Sequence, residues 1–298
     1  MPVSTRLIRR RIKSVANTRK ITKAMELVSA AKMRKAVQLT LASREYARTI
    51  TQVVGEVRGL VDPLSHGLLA GRPKARRSIL VIASSDRGLC GSFNAQLLRK
   101  SLEFLRSRSE PTEVVTIGRR AEQAVKRAGY GILASFESIS NAPSFDRTAP
   151  IGALLYEEFK AERCDRVFVA YTDFKNAITQ IPTVTQLLPV IPEENLPKQL
   201  IDPADEEAYE FDEPKILFEP DAAKLLDTLL PRLLETEIYQ SLLESAASEH
   251  SSRTAAMRSA TDNATGMLED LTLTFNQARQ AGITREISEI SAGKAALE

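Results

Sequence analysis

The sequence predicts an α/β protein in which two long terminal helices pair as an antiparallel coiled coil and flank a central, mostly parallel sheet. Three observations carry that expectation. Between Pro231 and the C-terminus there is no proline, and glycine occurs only at Gly266, Gly282 and Gly293. From Val3 to about Gly59 there is again no proline, and Gly55 is the first glycine. Between these stretches, short β-branched runs alternate with helical ones, the order that builds a parallel sheet. Proline costs about 3 kcal/mol inside a helix, so its absence permits an unbroken helix at each end.

The N-terminal helix shows apolar residues at helical spacing: Ile8, Ile12 and Val15, then Ile21, Met25 and Val28, then Ile50, Val54 and Val57. Gly59, Pro63, Gly67, Gly71 and Pro73 then mark a linker. Strands are expected at Ser78–Ser84, Glu113–Ile117, Gly131–Ser135, Arg166–Tyr171 and Ile178–Pro189, with helices at Ala95–Arg106, Arg119–Ala128 and Ile151–Arg163. This is a Rossmann-like order whose last two strands close an antiparallel hairpin through Lys175-Asn176. Proline and acidic residues dominate from Pro192 to Pro214, which reads as a solvated linker, and one more short strand is expected at Ile216–Phe218. The C-terminal helix starts near Asp221, with Pro231 expected to kink it. Its later seam runs through Met257, Ala260, Ala264, Met267, Leu271, Phe275 and Ala278, a heptad-like spacing of mostly small residues. At the standard rise, roughly sixty such residues span about 90 Å, far more than a globular core requires. The domains expected are residues 1–59, an N-terminal shaft helix; 60–75, a linker; 76–218, an α/β foot; and 219–298, a C-terminal shaft helix.

Charge is unevenly distributed. The net charge of +3 hides thirteen basic side chains in residues 1–48 against Glu26 and Glu45, and nine acidic ones in residues 193–213 against Lys198. A basic helix could bind nucleic acid, the rival reading for this chain. However, Arg9, Arg10 and Arg11 point about 100° apart around a helix, which suits a rod surrounded on all sides better than one groove-reading face. Cys90 and Cys164 match neither a disulfide framework nor a metal site, and His66 and His250 have no ligand spacing. No apolar run reaches the length of a membrane span. The turn SSDRGLCGSFNA holds only Gly88 and Gly91, which fits no phosphate-binding glycine pattern, so a structural turn is expected there. No catalytic residue, cofactor or metal is expected.

Three long motifs, RRRIKSVANTRKITKAMELVSAAKMRKA, SDRGLCGSFN, and SEHSSRTAAMRSATDNA with FNQARQAGITREISEI, resemble the γ subunit of F-type ATP synthases, in the same order and over nearly the whole chain. The resemblance implies a non-catalytic rotor shaft turning inside a head of α and β subunits. Its foot would dock on the ε subunit and on a membrane ring of c subunits, so that proton flow is coupled to ATP synthesis or hydrolysis. It also implies a peripheral place at the cytoplasmic face of a bacterial plasma membrane, without insertion into it and without nucleic acid. Matched position by position, Arg279, Gln280, Thr284 and Glu286, together with Arg253, Lys23 and Met25, are implied contacts with the catalytic subunit. Glu219 is implied to engage the membrane ring. Residues 190–215 contain no cysteine, so the dithiol regulation of the chloroplast branch is not expected. Counting residues from a common base, the C-terminal helix should overhang its partner by roughly fifteen residues, or about 20 Å. The overhang begins near Gln280 and carries Ile283, Ile287 and Ile290 as an apolar bearing.

Overall fold

The computed structural model describes residues 5–58, 67–69, 71–72, 75–190 and 222–295. In chain order the elements are α1 (Thr5–Arg58), β1 (Ser78–Ala83), α2 (Phe93–Ser107), β2 (Thr112–Ile117), α3 (Arg119–Ala128), β3 (Ile132–Phe136), α4 (Phe145–Lys160), β4 (Arg166–Phe174), β5 (Gln180–Leu188) and α5 (Ala222–Ala295). The terminal helices pair and the sheet is mostly parallel, as the sequence predicts. The strand expected at Ile216–Phe218, the acidic stretch 192–214, His66 and Glu219 lie outside the described residues. The chain divides into two compact units, Ala31–Ser252 on one hand and Met1–Ala30 with Arg253–Glu298 on the other.

In the larger unit the strand order is β3-β2-β1-β4-β5. The first four strands are parallel, and β5 returns antiparallel on β4. Successive side chains of a strand point to opposite faces, so one strand feeds two cores. Ile79, Val81 and Ala83 of β1 join Ile151, Leu155 and Phe159 of α4, Leu230, Leu233 and Ile238 of α5, and Ile50, Val54 and Val57 of α1. Leu80 and Ile82 face the other way, onto Leu97 and Leu105 of α2 and Ala121 and Val125 of α3. Every residue of β1 is buried, the pattern of a central parallel strand covered on both faces.

Two prolines fall inside helices rather than ending them. The sequence reading starts α4 at Ile151, just after Pro150, whereas the helix begins at Phe145 and includes that proline. It also stops earlier than Arg163, at Lys160, and Glu162 takes a left-handed φ of 57°. Pro231 likewise lies within α5, which continues through it as one element. Each buried Leu or Ile contributes about 1.5–3 kcal/mol. Leu226, Leu230, Leu233 and Leu234 are all buried around Pro231, and together they outweigh the roughly 3 kcal/mol penalty of one internal proline.

The small residues at the start of the long C-terminal motif do something other than line a coiled-coil seam. Ser245 Oγ donates to the Ala83 carbonyl at the end of β1 (3.0 Å), and Ser248 Oγ to the Thr172 carbonyl on β4 (3.2 Å). Ser251 Oγ donates to the Ala177 carbonyl (2.8 Å), and Ser252 Oγ to the Cys90 carbonyl (2.7 Å). His250, expected at a surface or seam, is buried, and its Nε2 lies 3.2 Å from the Asn141 carbonyl. Strand ends and turns leave carbonyls without ladder donors, and a buried orphan carbonyl is costly. Here α5 supplies those donors. Antiparallel pairing with α1 continues in this unit through Ser43 Oγ on Gln240 Oε1 and through Ala36 against Ala246 and Ala247.

The junction between β2 and α3 needs a glycine. Gly118 has φ 88°, and a Cβ there would meet the Ser84 carbonyl oxygen at 2.4 Å. That approach lets Ser84 Oγ accept from the Ala121 amide at 2.8 Å, satisfying one free N–H in the first turn of α3. Gly118→Ala is therefore expected to lower the unfolding free energy by about 2–3 kcal/mol, combining backbone strain with the clash. Urea denaturation of the full chain followed by circular dichroism measures this; an unchanged midpoint would contradict the account.

Candidate partner-contact surfaces

The smaller unit consists of residues 5–30 of α1 and 253–295 of α5. They run antiparallel: Arg9 stacks its guanidinium over the Phe275 ring (5.3 Å), while Thr22 receives a hydrogen bond from Thr261 Oγ1 at 2.9 Å. Buried and half-buried positions on α5 recur at Arg253, Met257, Thr261, Ala264, Leu268, Leu271, Phe275 and Ala278. Those on α1 include Ile8, Ile12, Val15, Arg19, Thr22, Met25 and Ser29. Steps of three and four define the seam, so the coiled-coil expectation holds.

Its composition differs from the expected one. Met267 is exposed and Leu268 takes the seam position, while Ile21 and Val28 point outward and the neighbouring Thr22 and Ser29 are buried. A search for apolar periodicity selects Ile21 and Val28 because it assumes that the seam is apolar. The signal available in the sequence was the unbroken spacing from Ile8 through Val15 to Thr22 and Ser29. The seam is consequently thin. Among the described residues of this unit, Ile8 and Met257 are the only large apolar side chains that are fully buried.

The outer surface holds what the seam lacks. Leu7, Ile21, Leu27, Val28, Met267 and Leu273 are exposed, as are Ile283 (49%), Ile287 (59%) and Ile290 (73%). From Ile283 to Lys294 every residue of α5 is exposed. The three isoleucines, spaced by four and three, share one helical face. Arg279, Gln280, Thr284 and Glu286 are exposed on the same stretch. Lys23 is exposed and holds its Nζ 3.1 Å from the Glu26 carboxylate, and Met25 is half-buried. Arg253, at 8% exposure, is largely enclosed by its own chain.

The turn SSDRGLCGSFNA, in the larger unit, is occupied by its own side chains. Ser85 Oγ donates to the Arg87 carbonyl at 2.6 Å, Asn94 Nδ2 lies 2.7 Å from Ser85 Oγ, and Asn94 Oδ1 accepts from the Ser85 amide at 3.2 Å. Cys90 and Cys164 are buried thiols, and burial pushes Cys164 up to about 12, away from reactivity. Among the described residues no group of three potential metal ligands converges, and no helix is long and apolar enough to cross a membrane.

The family model described as ATP synthase matches residues 4–297. The ATP synthase gamma chain of Pelotomaculum thermopropionicum is 41% identical over 295 residues, covering 99% of each chain. The chain belongs to the ATP synthase γ chain family. The γ chain of Roseiflexus castenholzii is 39% identical over 298 residues, covering 99% of this chain and 98% of its own. Among solved structures, a chain of the central stalk and c-ring of Tetrahymena thermophila mitochondrial ATP synthase aligns with a TM-score of 0.58 and 25% identity, over 80% of this γ chain and 99% of that one. A chain of the rotor of Euglena gracilis mitochondrial ATP synthase shares the fold, with a TM-score of 0.63, 19% identity and coverage of 94% and 98%. This γ chain is a central-stalk subunit of ATP synthase, peripheral to the membrane, and serves the ATP synthesis and proton transport of that complex.

The thin seam has a consequence for the γ chain on its own. Ile8 and Met257 each contribute about 1.5–3 kcal/mol by burial, whereas fixing each residue's backbone costs about 1–2 kcal/mol. Binding partners would add stability by mass action. Hydrogen exchange is expected to be fast for residues 255–295 in the free chain and markedly slower in the assembled complex; equal, strong protection in both states would rule this out.

Proposed function

We propose that this γ chain transmits rotation between a membrane ring of c subunits and a catalytic head of α and β subunits, and makes no bond in ATP itself. The observation that carries the reading is the stretch Ile283–Lys294, a helix with every residue exposed and three isoleucines on one face. A single helix with an apolar stripe needs a collar to exclude water. A collar of apolar wall has no fixed hydrogen bonds to break as the helix turns, so it holds the axis without locking its angle. Ile283, Ile287 and Ile290 serve as that bearing.

The polar residues on the same stretch do the opposite task. Arg279, Gln280, Thr284 and Glu286 are exposed donors and acceptors that can form charge-assisted bonds with a catalytic subunit at particular angles. Lys23, Met25 and Arg253 act lower on the same partner, Arg253 with only its small exposed fraction. Because one helical pair has no threefold symmetry, each catalytic subunit meets a different surface of it at any moment and is held in a different state. Residues 76–218 form the foot with the ε subunit, Glu219 engages the c ring, and residues 1–59 and 219–298 form the shaft, joined to the foot by 60–75. The complex works from the cytoplasmic face of a bacterial plasma membrane. Nucleic acid is not a partner: the exposed Ile21, Leu27 and Val28 lie among the basic side chains of α1, and phosphates would not cover them.

Ile287→Asp and Arg279→Ala separate the two roles. Both positions are exposed, so the stability of the free chain should shift by no more than about 0.5 kcal/mol. Ile287→Asp is expected to reduce the yield of assembled complex. Arg279→Ala is expected to leave assembly intact and to lower coupled ATP synthesis roughly tenfold, the loss of one charge-assisted bond in the working state. Normal assembly with Ile287→Asp would refute the bearing, and normal synthesis with Arg279→Ala would refute the contact.

A further inference from the structure

The end of β4 holds a pair of carboxyl groups that no part of the rotor mechanism uses. Asp173 on β4 is 1% exposed and Glu244 on α5 is 3% exposed, both within the larger unit. Ser248, one turn beyond Glu244, donates to the carbonyl of Thr172, the neighbour of Asp173, so α5 carries Glu244 to the end of β4, where the two carboxyls interact. Glu244 Oε2 is a buried atom with no hydrogen-bond partner, and buried Asp173 Oδ2 has only the Lys175 ammonium beside it. Ionised carboxylate oxygens only accept hydrogen bonds, so two of them facing each other form a bond only when one carries a proton.

The surroundings fix where that proton resides. From the β4–β5 turn, Lys175 Nζ lies 3.2 Å from Asp173 Oδ2. From α1, Arg44 brings Nη2 only to 3.8 Å from Glu244 Oε1, and its buried Nε has no acceptor. From α5, Gln240 Nε2 donates to Glu244 Oε1 at 3.2 Å, and the half-buried Glu237 lies two turns back. Tyr171, on β4, is a further titratable group beside the pair; burial and then the charges of Glu244 and Asp173 push it up. Burial first, and then the charge of Asp173, push Glu244 up to about 7. The proton therefore resides on Glu244 and is donated to Asp173. A metal cation in its place would face both Arg44 and Lys175.

We propose that Asp173 and Glu244 share a single proton, and that this proton latches α5 onto the end of β4, so that its loss loosens the contact. With the proton, the pair carries one charge, which Lys175 balances. Without it, two anions face each other away from water, Lys175 touching Asp173 but Arg44 reaching Glu244 only at 3.8 Å. The direction with pH follows from linkage. Below the ordinary value of 4.5 the folded and unfolded chains both hold the proton. From there to about 7 only the folded chain keeps it, so this pair's contribution falls as pH rises, and above that it stays lost.

The test is the urea midpoint of the full chain from pH 4.5 to 8, compared across variants. Glu244→Gln keeps a donor to Asp173 at every pH, and Asp173→Asn removes the second charge. Glu244→Gln should abolish, and Asp173→Asn should reduce, a wild-type loss that approaches tenfold in the folding equilibrium per pH unit within the window. Glu237→Gln controls for Glu237, which burial pushes up to about 8, and should leave the Glu244-dependent loss in place. Infrared spectra at pH 6 supply a second readout: the protonated-carboxyl band should persist in Glu237→Gln and disappear when Glu244→Gln is added to it. The proposal is overturned if Glu244→Gln retains the wild-type pH slope, if Asp173→Asn leaves that slope unchanged, or if the band survives in the double variant.

Discussion

The larger unit depends on how α5 closes the carboxyl end of the sheet. A parallel sheet ends in carbonyls that no further strand will use, and they must be satisfied by loops, water or another element. Here the serines of one helix do it. Ser245 and Ser248 reach Ala83 and Thr172, and Ser251 and Ser252 reach the turns at Ala177 and Cys90. Pro182, opposite Thr172 in the β4–β5 ladder, has no N–H to give, which makes the Ser248 donor more valuable. Small hydroxyl side chains are what this geometry requires, because longer ones would hold the helix away from the strand ends. The same packing carries Glu244 and His250 into the interior, where each must find a partner or a proton.

Around that closure the apolar core follows ordinary layer physics. Alternate residues of β1 and β4 face α4, α5 and the end of α1 on one side, and α2 and α3 on the other. The leucines of α5 near Pro231 tie the helix to this core strongly enough to carry the proline. Gly152 of α4 lets α5 come close: a Cβ there would meet Glu235 Cγ at 2.8 Å.

The smaller unit obeys a different balance. Its seam spends several positions on Thr22, Ser29, Arg253 and Thr261, and much of its apolar area faces outward. In a self-sufficient coiled coil that would be an error of patterning. In a central-stalk subunit it fits the task, since the surfaces that matter are those presented to partners. On the proposed reading, an apolar stripe gives non-directional attachment and exposed ionic groups give directional contacts, so that one helix both turns and signals its angle.

The sequence by itself determined the element order, the two long helices, the antiparallel return of β5 and the membership in a family of shafts, because these rest on proline placement, periodicity and long motifs. It placed α3 at its observed bounds, since Gly118 and Gly129 bracket a short amphipathic run. It also singled out the exposed stretch from Arg279 to Ile290, because residue counts alone leave that end of α5 without a partner. It misread the start of α4, where local proline chemistry yields to the burial of Ile151, Leu155 and Phe159. It chose Ile21, Val28 and Met267 for the seam, because periodicity assumes that apolar residues face inward, whereas this seam accepts hydroxyls. Only the tertiary structure decided what SAASEHSS is for and that Asp173 meets Glu244. Both depend on contacts across 70 or more positions of chain, and no local pattern encodes which carbonyl, or which second carboxylate, will be waiting there.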